Sequence, residues 1–225
     1  MSIRGSEYGM KTGVLSGNAA LPLLTACLFL IFFYSTVLAD SEIALNKQEK
    51  KIVLKNEIVV RELESADKAG RTFEAVGIIN ARRSTMRQIL LDYKKYPEFM
   101  PNVSRIEIIQ QDENSSLLTY HLTLPLGKKK KYRIRMEGSK PDAKTSLIRW
   151  RLQEWPGLKP EETIKDTNGF WRIEEQEQGR SLVLYHVYTD PGPVPFGLGW
   201  VIDILSKDTI PEVLSKTKNR AERFN

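Results

Sequence analysis

Cysteine and histidine are scarce in this chain. Its 225 residues include one cysteine, Cys27, and two histidines, His121 and His186. A lone cysteine excludes an intramolecular disulfide and a zinc site built from several thiolates. Neither histidine has a second histidine at metal-binding spacing, and the sequence has no G-x-S-x-G nucleophile turn and no complete dinucleotide fingerprint. The sequence therefore predicts no metal and no cofactor.

A convincing acid–base pair is also missing. Glu161-Glu162 and Glu174-Glu175 are adjacent, so in an extended segment the side chains of each pair point to opposite faces. His186 could act as a general base, or it could be a strand histidine with a solvated ring. We predict no catalytic residue and leave enzymatic activity open.

Positive charge exceeds negative charge only slightly, with 34 basic and 28 acidic residues and a net charge of +6. The one basic cluster is Lys128, Lys129, Lys130 and Lys131. Nucleic-acid recognition needs a concentrated basic face with aromatic platforms, so no nucleic-acid partner is predicted. The lysines predict an exposed hairpin turn or, alternatively, a contact with anionic lipid headgroups, to which each lysine contributes about 1 kcal/mol.

The long apolar run of the chain lies near its N-terminus. Residues 19–38 are mostly apolar, follow a weakly basic start and end before Asp40. This pattern is typical of an export signal over residues 1–39, and the run is also long enough for an uncleaved membrane anchor. Both interpretations place the rest outside the cytoplasm, in the periplasm if the source is Gram-negative. Residues 40–51 predict a linker or frayed helix, and the folded domain is expected over residues 52–225.

Residues 52–189 contain strand-like runs separated by turn residues. From residue 106 onward apolar and polar residues alternate, which predicts one apolar face and one solvated face. A sheet with one wet face is typical of antiparallel strands whose other face is covered. The predicted strands are Ile52–Glu62, Arg71–Ile79, Val103–Gln110, Leu117–Leu124, Tyr132–Glu137, Ser146–Leu152, Gly169–Glu174 and Ser181–Thr189.

Two helical patterns accompany the strands. Ser84 is the expected N-cap of the first helix, which Pro97 ends, and a short turn follows at Glu98–Met100. The second is a C-terminal apolar stripe from Leu198 to Ala221 that covers the sheet. Pro211 interrupts it, which predicts a short and a longer helix, or one bent helix.

Several of these motifs resemble a known family. The segments Asp92–Pro101, Gly169–Arg172 and Pro191–Pro195 are similar to those of the coenzyme Q-binding START-type family, within the superfamily of polyketide cyclases and lipid-transport proteins called SRPBCC. The resemblance covers about residues 60 to 224. It implies an α+β helix-grip fold of the START and Bet v 1 type, with a curved antiparallel sheet packed on a long C-terminal helix.

The aromatic residues of the apolar face predict either the wall of a ligand cavity or a solid core. The resemblance favours a cavity, since members of the family hold lipids, quinones or polyketides. A tyrosine in the wall must find a partner in the ligand or the backbone, and we expect the backbone. The loops at Asp190–Gly197 and Trp155–Leu158 could gate the cavity. The candidate ligand-binding residues are Tyr120, Leu122, Tyr132, Ile134, Met136, Trp150, Leu152, Trp171, Phe196, Val201 and Leu205.

These observations predict an exported binding or transfer protein for a hydrophobic ligand, a lipid or isoprenoid quinone, held between the sheet and the C-terminal helix. Two alternatives remain open: a cofactor-independent cyclase or dehydrase that uses the same cavity, and an interaction module without a ligand. The sequence does not reveal the oligomeric state.

Overall fold

The structure is a computed structural model that describes residues 42–65, 70–192 and 209–224. The predicted export signal or anchor over residues 1–39 lies outside these residues, as do Phe196, Val201 and Leu205. Among the described residues, no helix has the length and apolar character needed to cross a membrane.

The described chain forms one antiparallel sheet of eight strands in the order β1-β2-β8-β7-β6-β5-β4-β3. Seven of the predicted strands are confirmed, and most extend one to three residues beyond their predicted ends, because backbone pairing continues where the alternation of side chains stops. The edge strand β3 has two register shifts against β4. The strands are β1 (Val59–Leu63), β2 (Arg71–Ile79), β3 (Val103–Gln111), β4 (Ser115–Thr123), β5 (Lys129–Ser139), β6 (Thr145–Gln153), β7 (Asp166–Gln176) and β8 (Arg180–Asp190).

The strand predicted over Ile52–Glu62 is wrong in its first part, where the chain forms helix α1, Lys47–Leu54. Asn46 accepts hydrogen bonds from the backbone of the first turn, and the Glu49 carboxylate accepts one from the Asn46 N–H. This capping box satisfies backbone donors that would otherwise lack partners, so the helix begins inside the predicted linker. The described part of that linker therefore belongs to the folded domain.

Helix α1 covers part of the outer face of the sheet. Ile43 and Val53 pack against Val59, Val76 and Leu184 in a second small core. The outer face is thus apolar at β1, β2 and β8, and the prediction of a face that is wet throughout is wrong there. Burial on both sides removes the polar alternation that marks a half-exposed strand.

An arginine connects this N-terminal segment to the sheet. The Arg61 guanidinium contacts the Glu49 carboxylate at 2.7 Å and the Glu74 carboxylate at 3.1 Å, and it donates a hydrogen bond to the Ala44 carbonyl at 2.7 Å. The hydrogen bond from Arg61 lowers the pKa of Glu49. The fork geometry of a guanidinium suits such a junction of three acceptors.

The inner face is covered by α2, Arg83–Leu91, and by α3, Thr209–Glu222. Helix α2 buries Met86, Ile89 and Leu90 as the helical spacing predicted. The predicted N-cap at Ser84 is wrong: the cap is Arg82, with extended backbone angles and no side-chain hydrogen bond. The short turn expected at residues 98–100 instead runs from Tyr93 to Glu98 as a 3-10 helix.

In α3 the predicted apolar stripe is confirmed from residue 210 onward, since Ile210, Val213, Leu214, Thr217 and Ala221 are buried. Pro211 is the third residue of the described helix, and the helix predicted before it lies outside the described residues.

The inner face has two differently filled ends. At one end α2 and the later turns of α3 pack on the strands, and Gly77 of β2 lets Leu214 approach the backbone closely, because a β-carbon there would already be in van der Waals contact with it. At the other end the described inner face carries mainly aromatic side chains of the sheet, and these border a cavity.

The outer-face core predicts that the buried residue of α1 contributes to stability and its exposed neighbour does not. Val53 is 2% exposed and Leu54, the next residue, is 73% exposed. Val53→Ala removes two buried methyl groups and should lower the free energy of unfolding by about 2 kcal/mol, whereas Leu54→Ala should change it by less than about 0.5 kcal/mol. Urea denaturation measures both values. Equal effects would show that α1 is not docked on the sheet in solution.

Candidate functional site

A cavity of about 360 Å³ lies between the inner face of the sheet and the first described turns of α3. Its walls are mainly apolar and aromatic, and polar side chains concentrate at one rim. The lining residues from the sheet include Phe73, Tyr120, Leu122, Tyr132, Ile134, Met136, Trp150, Trp171, Tyr185 and Val187, and those from outside the sheet include Tyr96, Met100, Ile164, Ile210 and Val213.

Seven of the eleven candidate ligand-binding residues border this cavity: Tyr120, Leu122, Tyr132, Ile134, Met136, Trp150 and Trp171. The structure brings them together because they share one face of β4 to β7. Leu152 follows Trp150 by two residues in β6 and therefore lies on the same face of the sheet, but it is not among the cavity-lining residues. Phe196, Val201 and Leu205 lie outside the described residues. Ligand contact by any of these residues stays a prediction.

A glycine positions the main aromatic wall. Gly169 of β7 pairs with Trp150 of β6, and a β-carbon at Gly169 would collide with the Trp150 ring and with the backbone oxygen of His186. The missing side chain therefore lets the indole lie over β7. From there it stacks on Tyr185 with ring centroids 5.7 Å apart, and Trp171 lies 4.4 Å from the same tyrosine.

Four tyrosines border the cavity, and their hydroxyl groups differ in their partners. The Tyr96 hydroxyl donates to the Leu90 carbonyl at 2.6 Å, and the Tyr120 hydroxyl has only the Met136 sulfur at 3.8 Å. No hydrogen bond of the Tyr132 or Tyr185 hydroxyl is found within the described part of the chain. Among the described residues the Tyr120 hydroxyl thus has a sulfur partner and not the expected backbone group. For Tyr132 the expected backbone partner stays a prediction.

Burial raises the pKa of all four phenols, most strongly those of Tyr96 and Tyr120, whose hydroxyl groups are deep in the core. For Tyr185 the charge that Tyr132 would carry on ionisation raises the pKa further. The phenols are therefore neutral hydrogen-bonding groups at physiological pH.

The four lysines of the basic cluster differ in their surroundings, because Lys128 precedes β5 and the other three belong to it. The predicted exposed turn is wrong for Lys129, Lys130 and Lys131, which are residues of β5. The Lys130 ammonium points inward to the cavity rim and donates to the carbonyls of Thr163 and Pro191. Burial lowers the pKa of Lys130, and Asp190 partly opposes this change. Lys128 and Lys129 are exposed at the same rim.

Trp155 is not among the cavity-lining residues. The gate expected from residues 155–158 and 190–197 stays a prediction, since residues 193–197 lie outside the described residues. The Trp155 ring lies under the Arg133 guanidinium and the Lys131 ammonium, 4.1 Å and 5.3 Å from the ring centroid, and these side chains belong to the outer face of β5. The attraction of the indole face for two cations holds the loop there. Glu161 and Ile164, later in the same connection, are the residues that reach the cavity.

Both histidines lie on the outer face. His186 stacks on Phe170 with ring centroids 4.8 Å apart, and its Nδ1 atom is 3.1 Å from the Glu74 carboxylate. This hydrogen bond is the main cause of the lowered pKa of Glu74. The His121 Nε2 atom is 3.3 Å from the Glu107 carboxylate. The sheet separates His186 from the cavity, so the role of general base considered for it is wrong for chemistry inside the cavity.

No group of three or more histidine, cysteine, aspartate or glutamate side chains in residues 42–65, 70–192 and 209–224 could hold a metal ion.

The sequence pattern missed several lining residues. Phe73, Tyr185 and Val187 belong to β2 and β8, where both faces are apolar and alternation gives no signal. Lys130 had a signal, since it precedes Tyr132 by two residues and must share its face. Tyr96 comes from the 3-10 helix after α2, which no strand pattern could place.

Residues 79–216, more than half of the chain, match the family described as polyketide cyclase / dehydrase and lipid transport. The chain belongs to this family. No match is found among curated proteins.

Solved structures are similar in fold. A STAR-related lipid transfer protein fragment from Xanthomonas axonopodis has 15% identity and a TM-score of 0.64, over 73% of this chain and 93% of its own. Human StAR-related lipid transfer protein 5 has 13% identity and a TM-score of 0.64, over 74% of this chain and 83% of its own. The Streptomyces aromatase/cyclase Zhui has 14% identity and a TM-score of 0.54, over 68% of this chain and 94% of its own. The predicted START-like helix-grip fold is confirmed.

The close packing around Gly169 predicts that an added β-carbon at this position destabilises the protein. Gly169→Ala should lower the free energy of unfolding by about 3 kcal/mol or prevent folding, because Trp150 and β8 must move. Gly77→Ala is the matched control, an inner-face strand glycine whose β-carbon would meet its nearest atom at an ordinary 3.4 Å. Urea unfolding compares the two. Equal destabilisation would mean that Trp150 does not lie over β7.

Proposed function

We propose that this protein binds or transfers a hydrophobic ligand, a lipid or an isoprenoid quinone, which it holds in the cavity between the sheet and α3. The observation that carries the proposal is an aromatic and aliphatic cavity of about 360 Å³ between the inner face of the sheet and α3, as bounded by the described residues. The family description includes lipid transport, and two similar structures are named as lipid transfer proteins. The finer choice of a quinone rests on the sequence resemblance alone.

Apolar contact would provide most of the affinity. Burial of about 200 Å² of apolar ligand surface contributes about 5 kcal/mol at 25 cal/mol per Å², before the entropic cost of association. The cavity is within the usual size range of small-molecule sites, about 300 to 1,000 Å³. The described walls are side chains of several strands of one sheet.

We do not propose the cyclase alternative. The histidine considered as its base is on the other face of the sheet, and the described lining residues include no histidine. Export, expected from residues 1–39, completes the proposal as a prediction from the sequence, since a carrier outside the cytoplasm would meet lipids at a membrane surface.

Ligand carriage can be tested by native mass spectrometry and organic extraction of the protein purified from its own host. Leu122 borders the cavity, and Thr123, the next residue, is exposed on the other face. Leu122→Trp narrows the cavity and should reduce a co-purifying lipid or quinone at least fivefold, while Thr123→Trp should leave it unchanged. The absence of any apolar molecule from the wild-type protein, or equal retention by both variants, would contradict the proposal.

The rim lysines extend the proposal to the membrane surface. Lys128 and Lys129 are exposed where the cavity meets its polar rim, so we propose that these two, rather than all four lysines of the cluster, contact anionic headgroups during transfer. Lys130 and Lys131 are already engaged, with backbone carbonyls and with Trp155. Each free lysine contributes about 1 kcal/mol near an anionic bilayer.

In a flotation assay with phosphatidylglycerol vesicles, Lys128→Glu/Lys129→Glu should weaken binding by at least tenfold. The control is Lys140→Glu/Lys144→Glu, the same charge change at exposed lysines near the β5–β6 turn, at the other end of β5. Its effect should be much smaller. If both double variants lose binding equally, the attraction is only that of net charge.

A further inference from the structure

The hydroxyl groups of Tyr132 and Tyr185 are the unexplained polar groups of the cavity. Tyr132 comes from β5 and Tyr185 from β8, with β6 and β7 between them, and both side chains border the same space. Each ring has its aromatic contact: Tyr132 stacks on Tyr120 at 5.3 Å, and Tyr185 lies against Trp171. The rings are thus explained by packing, but the hydroxyl groups are not.

A phenylalanine would make the same ring contacts. Tyr132 and Tyr185 are partly buried residues that border the cavity, and no buried side-chain oxygen of the described residues lacks a partner. Whatever fills the cavity, water or a ligand, therefore has to provide the hydrogen bonds of these two hydroxyl groups. A ligand that displaced the water without replacing those bonds would lose about 1 to 3 kcal/mol for each hydroxyl group. Tyr96 shows how this fold satisfies a phenol when its role is structural, with a 2.6 Å bond to the Leu90 carbonyl. Tyr132 and Tyr185 have no such bond among the described residues, although both hydroxyl groups belong to residues that face the cavity.

The chemistry of the surroundings restricts the missing partner. The described lining on the same strands as the two tyrosines is mainly apolar and includes Ile134, Met136 and Val187. A charged group placed against these side chains would lose its hydration without an ion-pair partner, which is costly. The cationic lining residues lie at or next to strand ends, and one of them, Lys130, already donates to two carbonyls; they are Arg71, Lys128, Lys129 and Lys130. Protonated phenols donate one hydrogen bond each, so the deep partner is an uncharged oxygen acceptor.

We propose that Tyr132 and Tyr185 form a polar subsite that hydrogen-bonds a neutral oxygen of the ligand, such as a ketone carbonyl. This inference rests on the proposed function, because it assumes that a ligand occupies the cavity. It adds a selection rule: among apolar molecules of equal shape, the one with an oxygen acceptor binds more tightly. A net hydrogen bond contributes about 0.5 to 1.5 kcal/mol, or about threefold to tenfold in affinity.

The test uses the full-length chain and two probes of nearly equal shape, acetylnaphthalene and isopropylnaphthalene, which differ in a carbonyl oxygen against a methyl group. Isothermal titration calorimetry gives the ratio of their dissociation constants, and the ratio cancels effects of cavity shape. The wild-type protein should favour the ketone. Tyr132→Phe and Tyr185→Phe should each reduce this preference for the ketone. The larger of the two reductions should be about threefold to tenfold, and the double variant should abolish the preference.

Tyr93→Phe is the matched control, since it removes the hydroxyl group of a buried tyrosine that is hydrogen-bonded to Ser116 and is not among the cavity-lining residues. It can lower stability but should leave the probe preference unchanged. If both probes bind and the double Tyr132→Phe/Tyr185→Phe variant keeps the wild-type preference, the subsite is refuted and the hydrophobic carrier survives. If neither probe binds the wild-type protein, the carrier proposal fails as well. Tighter binding of naphthoate than of acetylnaphthalene would overturn the assignment of a neutral oxygen.

Discussion

The packing of α2 and α3 against one end of the curved sheet is the constraint on which the rest of the structure depends. Met86 and Leu90 of α2 and Leu214 of α3 are fully buried there, and Leu214 packs over Gly77 of β2. This end supplies a conventional close-packed core. The sheet continues beyond this end, and there the described residues of the inner face are mainly large side chains of the strands themselves. The rings of Trp150, Trp171 and Tyr185 are among these side chains and border the cavity.

The second core on the outer face has a different role. It anchors the strands β1, β2 and β8 from behind, and Arg61 ties the segment before α1 to Glu74 of β2. Glu74 of β2 pairs with His186 of β8, and both side chains lie on the outer face. Their neighbours in sequence point to the inner face and border the cavity; these are Phe73, Tyr185 and Val187. One wall of the cavity is therefore held from both sides, by apolar contacts and by a charged network that water does not fully reach.

Much of the fold was accessible from the sequence because local signals agreed with the global arrangement. Alternation located the inward residues Tyr120, Tyr132 and Trp171 on three different strands, and the family resemblance indicated how the strands combine. The alternation of apolar and polar residues did not reveal the inward residues of strands that are apolar on both faces, such as Tyr185 in β8. The apolar triplet at residues 52–54 has no period and is equally typical of a strand, whereas the capping residues Asn46 and Glu49 indicate the helix that the structure shows.

The partly filled interior could not be predicted from the sequence. Which end of the inner face is hollow depends on how far α2 and α3 reach along the strands, and this is a property of tertiary packing. The same is true of hydrogen-bond partners. Tyr96 and Tyr132 are alike as residues, yet among the described residues Tyr96 bonds a carbonyl and no bond of the Tyr132 hydroxyl is found. The Tyr96 bond forms because the 3-10 helix after α2 brings Tyr96 back to the Leu90 carbonyl.

An open sheet also has edges, and the two register shifts in β3 bear on this. A strand interrupted in this way cannot present an unbroken ladder of donors and acceptors to a neighbour, which discourages the edge-to-edge stacking that leads to aggregates. In the ligand carrier proposed above, this irregular edge would oppose association through β3, and the apolar cavity would stay the surface that receives apolar molecules.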